Sequence, residues 1–325
     1  MLVDVRVTSG RGNRDALIVD AGQIPLRLDP VLLIAITPAQ NAKKTKGQVQ
    51  RLAQHNGAPA KMRSEMTRIS EHDAIKVPAV TTGFWIIKIL ATTLGETGGD
   101  TVSMTWDLGY LVGSAIFLAA LVVLIGIQIA TKRFHPFLYW SVIVASTTAG
   151  TTMADFADRS LGIGYTGGSA VLFAILMAVL GLWYWSLGSI SVETVNTPKV
   201  EAFYWTAITF SQTLGTALGD WMADTSGLGY AGGALVFASG LALLTAAYYW
   251  TDVSRVLLFW AAFILTRPLG ATVGDFLDKP LDHGGLALSR PVASLVIAVI
   301  MIGCILLFPQ RAGGHPRRSE QPSET

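Results

Sequence analysis

Residues 205–220 read Trp-Thr-Ala-Ile-Thr-Phe-Ser-Gln-Thr-Leu-Gly-Thr-Ala-Leu-Gly-Asp, an apolar stretch of helical length that opens on tryptophan and closes on aspartate. The same frame occurs three more times. Counting from Trp85, Trp140, Trp205 and Trp260, ten residues on lies Gly95, Gly150, Gly215 or Gly270, and fifteen on lies Asp100, Asp155, Asp220 or Asp275. Twenty-four on lies Gly109, Gly164, Gly229 or Gly284, followed by Tyr110, Tyr165 and Tyr230, with Gly285 breaking the pattern. Self-similarity at fixed offsets marks a repeat architecture. An acidic residue kept at one depth of an apolar protein is expensive, so its recurrence asks for a function.

Composition places the chain in a lipid bilayer. Of 325 residues, 51% are hydrophobic and only 14% charged, with a mean hydropathy of +0.48. Soluble domains carry about 25% charged residues. The net charge of +2 argues for no nucleic-acid partner. The single cysteine, Cys304, lies in an apolar run and cannot form an internal disulfide. The five histidines do not cluster, and no Cys/His spacing of the zinc type occurs. His-Glu-x-x-His, a Gly-Lys-Ser/Thr phosphate loop and a Ser/His/Asp order of known form are also missing, so no enzyme activity and no cofactor are expected.

Residues 1–76 differ in kind. They hold Lys43, Lys44, Lys46, Arg51, Lys61, Arg63 and Arg68 and show no sustained period of 2 or 3.6. They are read as a basic, disordered cytoplasmic extension, or as sequence upstream of a true start at Met62 or Met66. Residues 77–308 form the membrane domain, in repeats of about 77–133, 134–198, 199–252 and 253–308, and residues 309–325 form a polar tail. The spacing predicts first helices near 77–99, 136–154, 202–219 and 253–274, and second helices near 110–130, 165–187, 230–250 and 286–308. Each has about the 17–25 residues a span needs. The expected fold is an all-α integral membrane protein of eight transmembrane helices, built as four tandem two-helix repeats. Two spans return the chain to its starting side, so the repeats are parallel. Lys76, Lys132, Arg133, Lys199, Arg255, Arg311, Arg317 and Arg318 sit at the junctions and flanks, against Arg159, Lys279 and Arg290 in the hairpins. The positive-inside rule then puts both termini in the cytoplasm. The tryptophans and tyrosines read as an interfacial aromatic belt.

Each repeat adds a second carboxylate about one turn from its partner: Glu96 with Asp100, Asp155 with Asp158, Asp220 with Asp224, and Asp275 with Asp278. Spacings of three or four place both on one helix face. Eight carboxylates lining one vestibule repel one another unless cations or protons sit between them, and hard divalent cations prefer such oxygen ligands. The glycine at offset ten is expected to break the helix and free carbonyls, as is Pro268. Lys88 and Arg267 stand at membrane depth as counter-charges to the acids.

The tryptophan opening each unit, the Gly-Thr-type step and the pairs Gly99-Asp100, Ala154-Asp155, Gly219-Asp220 and Gly274-Asp275 carry a resemblance. From residue 77 to 308 the chain resembles a bacterial membrane-protein family of four tandem two-helix repeats of unknown function, which implies a fold and a bacterial inner-membrane location. Glu96-Thr97-Gly98-Gly99-Asp100-Thr101 also looks like the Glu-x-Gly-Asp-Lys/Arg-Thr/Ser signature of calcium/manganese cation–proton exchangers, with one extra glycine and no basic residue.

The function expected from these residues is transport of a cation, a divalent metal (manganese, calcium or magnesium) exchanged for protons. Asp100, Asp155, Asp220 and Asp275 form the metal-coordinating ring, supported by Asp158, Asp224 and Asp278, with Glu96 as proton carrier. Two alternatives stay open: a membrane scaffold or sensor whose acids are structural, and a small organic-anion transporter using Arg267.

Overall fold

The computed structural model of the protein describes residues 6–9, 17–20, 25–28, 76–131, 133–192, 195 and 197–313. The chain divides into two compact units, Met1–His72 and Asp73–Thr325. In the first, β1 (Arg6–Ser9), β2 (Leu17–Asp20) and β3 (Pro25–Leu28) pair antiparallel in the order β1-β2-β3, with Val19 opposite both Val7 and Leu26. Strands of four residues are too short for alternation to stand out in sequence. The rest of the extension and the tail from 314 lie outside the described residues.

The second unit is helical. Its four first helices are α1 (Thr82–Asp100), α3 (Pro136–Asp155), α5 (Pro198–Asp220) and α7 (Arg255–Asp278). Its four second helices are α2 (Gly109–Ala130), α4 (Tyr165–Leu187), α6 (Gly229–Trp250) and α8 (Arg290–Leu307). Starts are set by local chemistry. Thr81 and Thr197 cap α1 and α5 by accepting from the amides of Phe84 and Val200, and Pro136 and Pro198 open α3 and α5, where a missing N–H costs nothing.

The first helices form a closed inner ring in which α1 touches α3, α3 touches α5, α5 touches α7, and α7 returns to α1. Each second helix lies outside and packs on the first helix of the following unit: α2 on α3, α4 on α5, α6 on α7, and α8 back on α1. Each second helix buries only a narrow stripe, such as Ala293, Ile297, Met301 and Ile305 on α8. It turns large apolar residues outward, among them Leu243 (71% exposed), Trp185 (83%) and Leu307 (82%). A contiguous apolar surface on this scale is suited to lipid rather than water.

Five helices (α2, α4, α6, α7 and α8) are long and apolar enough to cross a membrane. The other three, α1, α3 and α5, are 19 to 23 residues long and face each other with threonine, glycine and charge, which lowers their hydropathy without shortening them. No helix breaks at the offset-ten glycine, nor does α7 break at Pro268. The break comes after the repeat aspartate instead. There units one to three widen into a single π turn (Thr101–Thr105, Phe156–Ser160, Trp221–Thr225), closed by bonds such as Trp106 N–H to Thr101 O at 2.9 Å. The glycines serve close packing. A Cβ on Gly95 would lie 2.2 Å from Thr147 Cγ2, and one on Gly150 2.9 Å from the Gln212 carbonyl carbon.

At the other end of the ring, Lys76 Nζ reaches Glu201 Oε1 at 2.6 Å and the Ile129 carbonyl at 2.9 Å, so the helical unit includes residues ahead of position 77. Gly313 and Ala79 exchange backbone bonds with Val77 and Arg311, tying the end of the last unit to the start of the first.

Candidate functional site

Each first helix turns one face to the ring axis, and that face is a strict i, i+4 series starting one residue before the tryptophan. Successive members lie about 6 Å apart along the helix, so four helices in register build five layers of four residues. The first layer is aromatic: Phe84, Tyr139, Tyr204 and Phe259 each contact the tryptophan of the next unit, Trp140, Trp205, Trp260 and Trp85, at centroid distances of 5.4, 5.7, 6.5 and 5.8 Å. The hydroxyls of Tyr139 and Tyr204 lie 2.7 Å apart within it. Trp140, Trp205 and Trp260 are at most 3% exposed, so they close the ring rather than form an interfacial belt.

The next layers carry the charge. Lys88 shares its layer with Ile143, Ile208 and Phe263, and its ammonium sits 4.1 Å from the Phe263 ring centre and 3.4 Å from Gln212 Oε1. Arg267 shares the following layer with Thr92, Thr147 and Gln212, and its side chain crosses the axis. Its Nη2 donates to Glu96 Oε2 at 2.8 Å and to the hydroxyls of Thr151 and Thr216 at 2.6 Å each. These three acceptors come from the other three units, all from the layer beyond. Small residues make this possible: the Arg267 stem lies against Gly215, where an added Cβ would be 2.2 Å from Cγ.

The last layer is Asp100, Asp155, Asp220 and Asp275, none more than 2% exposed. Lys279 bonds Asp100 at 2.7 Å and Asp275 at 2.9 Å, while Arg159 bonds Asp155 at 3.0 Å and Asp220 at 3.5 Å. Lys279 and Arg159 occupy one offset, nineteen, in units four and two. The ring therefore has approximate two-fold symmetry, each half being two aspartates under one cation.

A family model described as Repeat of Unknown Function (DUF347) matches residues 83–134, 138–189, 203–254 and 258–309. The chain belongs to this family. Each DUF347 repeat corresponds to one inner helix, its turn and one outer helix, so the family's unit and the ring's unit coincide. No curated protein and no solved structure matches the chain.

Within the DUF347 ring the sequence-derived acids separate. Asp278 joins the aspartate layer: oxygens of Asp100, Asp275 and Asp278 lie within 4.8 Å of one another, close enough to share one metal ion. Arg290 adds a second cation to that group, 3.5 Å from Asp278 and 3.8 Å from Asp100. Asp158 is buried too, but against Gly168 of α4. Glu96 lies one layer deeper and belongs to Arg267. Asp224 is exposed and does not join the ring. It holds the same offset as Arg159 and Lys279, past the aspartate layer, from which only a long side chain can reach back.

Burial disfavours the Lys279 ammonium, but Asp275, Asp100 and Asp278 outweigh it and hold its pKa well above the ordinary lysine value. The role of Lys279 and Arg159 as clamps was visible in sequence only as a shared offset. That of Thr151 and Thr216 was visible only as the neutral counterparts of Glu96.

Proposed function

We propose that this protein is a multi-pass transporter of a divalent cation such as manganese, calcium or magnesium, exchanged for protons, with all eight helices crossing a bacterial inner membrane and both termini in the cytoplasm. One observation carries the reading: at the aspartate layer five buried carboxylates (Asp100, Asp155, Asp220, Asp275 and Asp278) meet three basic side chains, Arg159, Lys279 and Arg290. Uncompensated carboxylates in a low-dielectric site take up cations or protons. An oxygen-only ligand set suits hard divalent ions.

In this reading the incoming ion displaces Lys279 from Asp100 and Asp275, and the ammonium stands in for it between cycles. Deeper on the axis, Arg267 and Lys88 are counter-charges that prevent free leak of cations. Passage requires Arg267 to leave Glu96, and a proton on Glu96 is what releases it. Alternating access then couples ion and proton at one layer boundary. The pairing of all four aspartates with a basic residue favours a second reading, a scaffold whose acids lock the ring.

The test is the total metal content of cells expressing wild type, Asp220→Asn or Asp224→Asn across a panel of added metals, read by elemental mass spectrometry. A shift in one divalent metal, lost in Asp220→Asn and kept in Asp224→Asn, supports transport. Unchanged metal in all three at equal membrane abundance refutes it in favour of the scaffold.

A further inference from the structure

The axis holds more positive charge than it can neutralise, in a region distinct from the aspartate layer. The twelve inward residues of the three middle layers comprise two cations, Lys88 and Arg267, and one carboxylate, Glu96. Both cations are fully buried. Arg267 reaches Glu96 through Nη2 alone, and Glu96 Oε2 also accepts from the Thr151 hydroxyl at 3.2 Å. Among the described residues, Arg267 Nε and Nη1 have no acceptor, nor has the amide nitrogen of Gln212, and the Thr147 hydroxyl is unpartnered in the same layer. Lys88 can donate three hydrogen bonds, yet its polar contact is the 3.4 Å approach to Gln212 Oε1. Buried polar groups are nearly always paired. Four residues, one from each inner helix, here carry more donors than their acceptors use. Water could satisfy the hydrogen bonds but not the charge, and an unbalanced buried charge is far costlier than an unmade bond.

We propose that a small monovalent inorganic anion, of the size of chloride, binds on the ring axis among Lys88, Arg267, Gln212 and Thr147. The anion balances the second cation and accepts from the idle face of the guanidinium, whose other face holds Glu96. Because one guanidinium serves both, anion occupancy sets how firmly Arg267 stays with Glu96. The Phe263 ring and the isoleucines of the Lys88 layer wall the site on the side of the aromatic cap, which excludes large or strongly hydrated anions.

The experiment uses the full chain, purified in detergent, with thermal unfolding followed as sodium chloride replaces sodium gluconate at constant ionic strength. Wild type should melt at a temperature that rises saturably with chloride. Bromide and nitrate should substitute, and gluconate, too large to enter, should not. Lys88→Met should raise the half-saturating chloride by about tenfold or more, equivalent to about 1.4 kcal/mol. It should also be more stable than wild type in gluconate alone, having lost the uncompensated charge. Arg133→Gln, on the exposed junction before α3, should titrate as wild type. Equal melting of wild type in chloride and gluconate overturns the proposal whether or not the variants fold. A chloride shift unchanged in Lys88→Met also overturns it, by placing the effect elsewhere. Neither outcome depends on whether the aspartate ring carries a metal.

Discussion

Replacing Glu96 with glutamine keeps the side-chain shape and removes the charge that answers Arg267. The guanidinium would retain the Thr151 and Thr216 hydroxyls at 2.6 Å, but all three of its side-chain acceptors would then be neutral. Arg267 is 0% and Glu96 2% exposed, so solvent can neither screen the pair nor take over its charge. An exposed ion pair contributes about 0–1 kcal/mol, whereas stranding one member of a buried pair costs about 3–5 kcal/mol. Burial puts this pair in the second class. Converting Arg267 to methionine at the same time should recover most of that loss, because methionine keeps the Cβ and Cγ that pack on Gly215 while removing the stranded charge. The two substitutions should therefore be non-additive by about 2 kcal/mol or more. The assay is reversible unfolding of wild type, both single variants and the double variant in mixed micelles, with gluconate as the only anion. A Glu96→Gln protein within about 1 kcal/mol of wild type, or a double variant that loses the sum of the singles, would refute the ion-pair account of the ring centre.

Two further outcomes follow from the packing and the clamps. Gly270→Ala would put a Cβ 2.1 Å from Thr92 Oγ1 and 2.9 Å from the Thr92 carbonyl carbon. Backbone cannot move aside as a side chain can, so a loss of about 1–3 kcal/mol is expected. Gly126→Ala, with nothing within 4 Å, should gain up to about 1 kcal/mol from helix propensity, and melting temperatures of opposite sign check both. Lys279→Met should lower stability by stranding Asp100 and Asp275. The pKa of Lys279 is raised on folding, so its contribution is complete below the unfolded value of about 10.4 and fades only as pH climbs through the higher folded one. The gap between wild type and variant should hence not narrow as pH rises from about 6 to 9, measured by unfolding at several pH values.

Much of this was legible in the chain. The repeat offsets gave the helices to within a few residues, and the aspartates at offset fifteen do meet in one buried layer. Lys88, Arg267 and Glu96 stood out because charge is rare in such a sequence. What escaped was which residues share the axis. Offsets seven and eight both looked polar, and only the four-residue stride of the inner face selects Thr92, Thr147, Gln212 and Arg267. The helix break was misplaced for a related reason. Glycine can loosen a helix or let two helices touch, and its own sequence does not say which. Here Thr147 and Thr92 lean into the space that Gly95 and Gly270 leave, so contact prevailed. Asp224 misled because spacing of four says nothing about how far a residue stands beyond the ring. At that offset Arg159 and Lys279 return to the acids on long stems, and a short aspartate remains outside.

The seating of each outer helix on the neighbouring unit has a consequence for how the protein comes into being. No repeat is finished by its own sequence, since α2 completes the second unit and α4 the third. The groove on α1 waits for α8, the latest of the described helices to leave the ribosome. The opening unit must therefore stay unsealed until α8 has been made, and the aromatic, arginine and aspartate layers have no fourth side until α7 has been made. Closure of the ring is consequently the step that completes every layer at once, because the fourth unit meets the first.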